Sequence, residues 1–150
     1  TRVSCVAAAI AQTTLDPQQM IEWTPNSTYG GHAFGFKADG STKRSAFEVY
    51  LASRAHILPW IAEYSPFALV TRDDPPVYLH YGTRPALGQP AKDPTHTANF
   101  GVNLQERCNR LGVTCELFYP GAPNVTHPTV AAYLIAMLKG SPAKAGGTGL

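Results

Sequence analysis

Val77–Gly101 reads VYLHYGTRPALGQPAKDPTHTANFG. Its opening residues, β-branched and aromatic without strict alternation, fit a strand buried inside a parallel sheet. The run halts at Gly82, and Pro85, Pro90 and Pro94 then keep the chain irregular for about a dozen residues. Past it, Phe100, Leu104, Cys108 and Leu111 recur at i, i+4, i+8 and i+11, opposite Asn103, Glu106, Arg107 and Arg110. That spacing predicts an amphipathic helix, and Gly112 suits its left-handed stop. A strand, a long loop and a helix in this order make the loop a strand-end loop, where parallel α/β proteins carry function.

Working outward, RVSCVAAAIA near the N-terminus is short and continuously apolar, which predicts another strand buried on both faces. Asp16 then stands as an N-cap, with Pro17 at the first position of a short helix. From Thr24 to Lys43 the chain is rich in Gly, Ser, Thr and aromatic residues and reads as an ordered, irregular excursion. Helical spacing resumes at SAFEVYLASRAHILPWIAEYSPF, with Phe47, Tyr50 and Leu51 on one side and a break expected near Pro59. Asp73, Asp74, Pro75 and Pro76 form a turn into the strand at Val77. VTCELFYPG supplies a third strand. HPTVAAYLIAMLK reads as a last helix with Val130, Leu134, Met137 and Leu138 inward. The expectation is an α/β fold: a parallel three-stranded sheet flanked by helices and joined by right-handed crossovers. One domain covers 1–139, and 140–150 reads as a flexible tail.

The totals narrow the function classes. The 150 residues suit a single domain, 44% are hydrophobic and the formal net charge is +2, so nothing points to nucleic acid or an anionic membrane. No apolar run reaches the twenty or so residues of a membrane span. Cys5, Cys108 and Cys115 are too few for a disulfide framework, leaving buried thiols or a single Cys108–Cys115 bridge. His32, His56, His80, His96 and His127 are scattered rather than spaced as metal ligands. No metal and no cofactor is expected. Two Asn-X-Thr triplets, at Asn26 and Asn124, carry little weight by themselves.

SPFALVTRDDPPVYLHYG, followed by NFGVNLQERCNRLGVTCELFYPGAPNVTHP, resembles the C-terminal half of the α/β-hydrolase superfamily, in its esterase and lipase-like branch. The match rests on a Ser-Pro before the loop into a PPxxLxxG strand, a helix ending in Leu-Gly-Val, a strand ending in Tyr-Pro-Gly and a following histidine. It covers residues 65–139, and 1–64 more loosely. The resemblance implies a serine hydrolase cleaving a small-molecule carboxylic ester by acyl transfer. None of the seven serines sits in Gly-x-Ser-x-Gly, so the nucleophile is expected in an N-terminal half of the same domain, upstream of Thr1. Likeness to exported bacterial esterases is compatible with a secreted or periplasmic parent.

Carried over by position, His127 is the expected catalytic base. The acid departs from the family pattern: Gly82-Thr83-Arg84-Pro85 puts proline where aspartate is usual. Asp73 and Asp74 precede the strand and lie at its other end, roughly 20 Å away at strand rise. Asp93, in the long loop, and Asp16, after the first strand, are the substitutes, although either also reads as a helix N-cap. His96 is a first-turn or pocket residue. His32 and Trp23 are candidate substrate contacts in the 17–64 excursion, which occupies the place of a lid or cap. Trp23, Tyr29, Phe34, Phe36 and Trp60 either roof an acyl group or pack the excursion onto its helices. The alternative to an enzyme is a hydrolase-like binding domain that lacks the acid.

Overall fold

A computed structural model describes residues 3–140. Three strands, β1 (Val6–Ala9), β2 (Val77–His80) and β3 (Cys115–Phe118), form one parallel sheet in the order β1-β2-β3. Val6, Val77 and Cys115 share one level of the ladder, and Ala9, His80 and Phe118 another. The α/β class expected from the sequence is therefore present, with helices on both sheet faces. Alternation along the strands decides which residue meets which helix. Tyr78 turns to α6 (Val130–Gly140), stacking on Tyr133 at 4.9 Å between ring centroids. Leu79 and Leu117 turn to the opposite face and join Phe100, Leu104 and Cys108 of α5 (Asn99–Leu111) in the core. Each such fully buried side chain is worth about 1.5–3 kcal/mol.

Three α-helices, α1 (Pro17–Trp23), α2 (Ala46–Ala52) and α3 (Arg54–Tyr64), and a short 3-10 helix (Gly31–Phe34) make up the excursion, and α4 (Pro66–Leu69) follows it. Asp16 caps α1 by accepting from the Gln18 amide, with Pro17 in the first turn as its fixed φ favours. Ser45 and Glu48 cap α2 reciprocally. Met20, Trp23, Phe47, Tyr50, Ile57 and Ile61 carry the core beneath these helices.

Four expectations need correction. β1 is not buried on both faces: Val6 and Ala9 are exposed, and no fourth strand among the described residues pairs with its outer edge. The helical break falls at Ser53, and Pro59 lies inside α3, which forgoes one backbone hydrogen bond without parting. On α6, Tyr133 is buried and Val130, Leu134 and Met137 are half-buried on its side as expected, while Leu138, also expected inward, is 67% exposed. The same helix runs through Gly140, one residue beyond the expected domain end, and the expected tail from 141 onward lies outside the described residues. No helix among the described residues is long and apolar enough to cross a membrane.

α5 approaches β3 and the end of β2 closely at Gly101. A Cβ there would lie 2.4 Å from Tyr81 Cε2 and 2.7 Å from Leu117 Cδ1, both fully packed side chains. Gly101→Ala should lower stability by about 1–3 kcal/mol through overpacking. An unchanged or raised urea midpoint would contradict this helix-to-sheet distance.

Candidate functional site

The loop from Tyr81 to Ala98 is tied down from beneath. Asn99 is completely buried at the start of α5. Its Oδ1 accepts from the Ala86 amide at 2.7 Å, and its Nδ2 is shared among Trp23 O, Thr24 Oγ1 and Ala86 O at 2.8–3.1 Å. Asn26 pairs twice with Ala91, donating to its carbonyl and accepting from its amide, both at 2.9 Å. The Gly88 amide donates to Trp23 O at 3.0 Å. A loop of this length therefore holds a set shape, and its exposed side chains are presented rather than left to search.

What it presents is a cavity of about 710 Å³ outside the carboxyl ends of β1 and β2, bordered by Ile10, Thr83, Arg84, Lys92, Asp93 and His96. His96 Nδ1 lies 2.8 Å from Asp93 Oδ2, while Asp93 Oδ1 accepts from the Thr95 and His96 amides at 3.1 and 3.2 Å. The bond to the His96 ring, together with these two amides, holds the Asp93 carboxyl below its ordinary range. With its proton on Nδ1, the imidazole keeps an acceptor lone pair on Nε2. The expected N-cap at Asp93 or Thr95 is instead an Asx-type turn, because α5 begins only at Asn99. Ile10, on the cavity wall, has φ +48°, a left-handed conformation that is costly for a β-branched residue; its amide donates to His80 O at 2.7 Å. Strain of this kind gathers at functional sites.

A second histidine–carboxylate pair lies on the α6 face of the sheet. His127 Nδ1 is 2.7 Å from Glu116 Oε2, and both side chains are mostly buried. Glu116 Oε1 also accepts from the Thr126 and His127 amides, and Tyr78 Oη donates to His127 O at 2.8 Å. The His127 ring meets Tyr133 edge to face at 5.5 Å. Glu116 precedes the end of β3 by two residues, about 7 Å at strand rise, so this pair stitches the 119–129 loop back along the sheet. The sequence reading overlooked Glu116. Its signal was a carboxylate between the buried Cys115 and Leu117, which a strand keeps only with a partner.

The remaining candidates are occupied by packing. Asp16 is buried and bound by Arg54, whose Nε and Nη2 both lie 2.7 Å from its oxygens. Burial opposes its charge, but Arg54 and the Gln18 and Gln19 amides outweigh that and hold the carboxyl below its ordinary value. Neither Asp16 nor Asp93 is the carboxylate bonded to His127; that is Glu116. Trp23 sits in the core, edge-on to Phe67 and Phe100. His32 lies against Tyr29 at 4.6 Å, away from the cavity wall. Phe34 stacks on Trp60 and Tyr50, so part of the expected aromatic roof is internal packing. Asp73 and Asp74 hold the turn through Thr71. Cys108 and Cys115 are free thiols in the core, both shifted upward chiefly by burial. No cluster of three metal-ligating side chains occurs among the described residues.

No family model matches the chain, and no curated protein or solved structure matches it.

The Asp16–Arg54 pair gives a prediction with a definite sign. The folded carboxyl is held below its unfolded value of about 3.9, so its stabilisation is complete above that pH and is lost as pH falls through the lower folded value. Asp16→Asn should cost about 1–2 kcal/mol near neutral pH, discounted for the partly exposed Arg54. The gap should narrow between neutral pH and a pH below that unfolded value. Urea midpoints at the two pH values check this, and a gap independent of pH would show that the charge is not the cause.

Proposed function

We propose that the chain is the C-terminal part of an esterase-like serine hydrolase, cleaving a carboxylic ester by acyl transfer at the cavity outside β1 and β2. The observation that carries this reading is the His96–Asp93 pair: an imidazole with Nδ1 held by a carboxylate, on a tied-down loop at the strand ends. In the proposed cycle, a serine contributed by polypeptide outside this chain adds its Oγ to the ester carbonyl while His96 Nε2 takes its proton. The alcohol then leaves with that proton. Water adds to the acyl-enzyme by the same route, and the acid departs as the serine is restored. Asp93 keeps the ring in the required tautomer and offsets the imidazolium that forms.

A second reading takes His127 as the base, with Glu116 as the orienting acid. It is favoured by the place of His127 after the last strand, as the α/β-hydrolase resemblance implies, and by its own carboxylate at 2.7 Å. The burial of that pair and its distance from the strand ends weigh against it.

The test uses a longer polypeptide that includes the nucleophile, assayed for fluorophosphonate labelling and ester turnover. His96→Ala should lower turnover by on the order of 10³-fold or more, and His127→Ala should retain it within about tenfold in folded protein. The reverse pattern moves the base to His127. A folded parent that neither labels nor turns over any ester would leave a hydrolase-like binding domain.

A further inference from the structure

The cavity that holds His96 also brings together two cations that form no ion pair among the described residues. Arg84 and Lys92 both border it. Among the described residues neither forms an ion pair; Asp93, the only carboxylate on the wall, keeps its negative charge but has both oxygens engaged by its own turn and by His96, so with a neutral imidazole the two cations leave the wall net positive. Arg84 is also positioned. Its Nε donates to Pro120 O at 2.9 Å, so it bridges the loops that follow β2 and β3. Gly121, with φ +79°, is what makes room for it: a Cβ there would fall 2.3 Å from Arg84 Nη2. A guanidinium laid across a glycine turn, with N–H donors still unused, is prepared for an anion. Apolar Ile10, Ala86 and Pro94 complete the wall, so a ligand would present an anionic end and a hydrocarbon body.

We infer that this cavity binds a ligand carrying an anionic group, a carboxylate or a phosphate, held between Arg84 and Lys92 with its uncharged part toward Ile10 and His96. The inference rests on the proposed function only in taking the ligand as an ester substrate; anion binding itself needs no hydrolysis. Under that reading the substrate is the ester of an acid or alcohol bearing a second, ionised group. The positive wall then acts on substrate capture, and its effect falls with salt as the Debye length shrinks below about 10 Å.

Binding can be read without turnover, by NMR titration of the folded protein with succinate monomethyl ester, its neutral dimethyl ester and inorganic phosphate. The monoanion should shift the Thr83, Ala91 and His96 amides and bind at least tenfold more tightly than the neutral diester. Lys92→Glu reverses a charge on an exposed side chain that makes no hydrogen bond or ion pair among the described residues, and should abolish that preference; Arg84→Gln should weaken it and retain part of the bond to Pro120. Tighter binding of the monoester than of phosphate assigns a carboxylate ligand, and the opposite order assigns a phosphate. Equal affinity for the neutral diester, or preference unchanged in folded Lys92→Glu, overturns the inference. Retained anion binding in a parent without esterase activity would overturn the hydrolytic reading alone. Esterase activity indifferent to substrate charge would overturn this one alone.

Discussion

The buried side chain of Asn99 joins three parts of the chain that are far apart in sequence. It holds the end of α1 through Trp23 and Thr24, the strand-end loop through Ala86, and sits at the start of α5. A fully buried amide left without these partners would cost several kcal/mol, so the three segments are constrained together. The cavity depends on that constraint. Without it, the chain from Gly82 to Thr97, with three prolines and few buried side chains, would rely on the exposed Asn26–Ala91 pair and the Gly88–Trp23 bond to hold Asp93 and His96 over the sheet.

The same economy explains why two histidine–carboxylate pairs do different physical work. Asp93 is three residues from His96, and a local turn suffices to bring them together at the solvent-facing rim. Glu116 reaches His127 across a loop, on a sheet face covered by Tyr78 and Tyr133. The first leaves an imidazole free to meet a ligand; the second spends its hydrogen bonds on closing the last loop. On the α5 face of the sheet, the described residues leave the edge of β1 and a largely apolar groove of about 330 Å³ beside Leu104 and Cys108 uncovered. An apolar parallel edge is normally shielded, which accords with the proposal that further polypeptide completes the domain.

Much of the architecture was readable before any coordinates. The apolar runs gave the three strands, the spacing from Phe100 to Leu111 gave α5, and Asp16-Pro17 gave the start of α1. These are local signals: periodicity, caps and breakers act within a few residues. The errors arose where neighbours decide. Pro59 was absorbed within α3, and Leu138 stayed exposed at the far end of α6 although Val130, Leu134 and Met137 turned inward as the pattern gave. Trp23 looked like a ligand contact and became core because Phe67 and Phe100 converge on it.

For the site, the sequence alone determined the inventory: a long strand-end loop with Asp93 and His96, a histidine after the last strand, and proline in place of an expected acid. Asp93 read from the sequence as a helix cap or as an acid for His127, so the Asp93–His96 pairing, although local, came from the structure. Tertiary structure decided the partnerships. It joined Glu116 to His127, Arg54 to Asp16, Arg84 to the Gly121 turn and Asn99 to α1. Each of these spans eleven or more residues, and which side chains meet at such separations is set by strand order, register and the side of the sheet each residue faces, quantities that no short stretch of sequence contains.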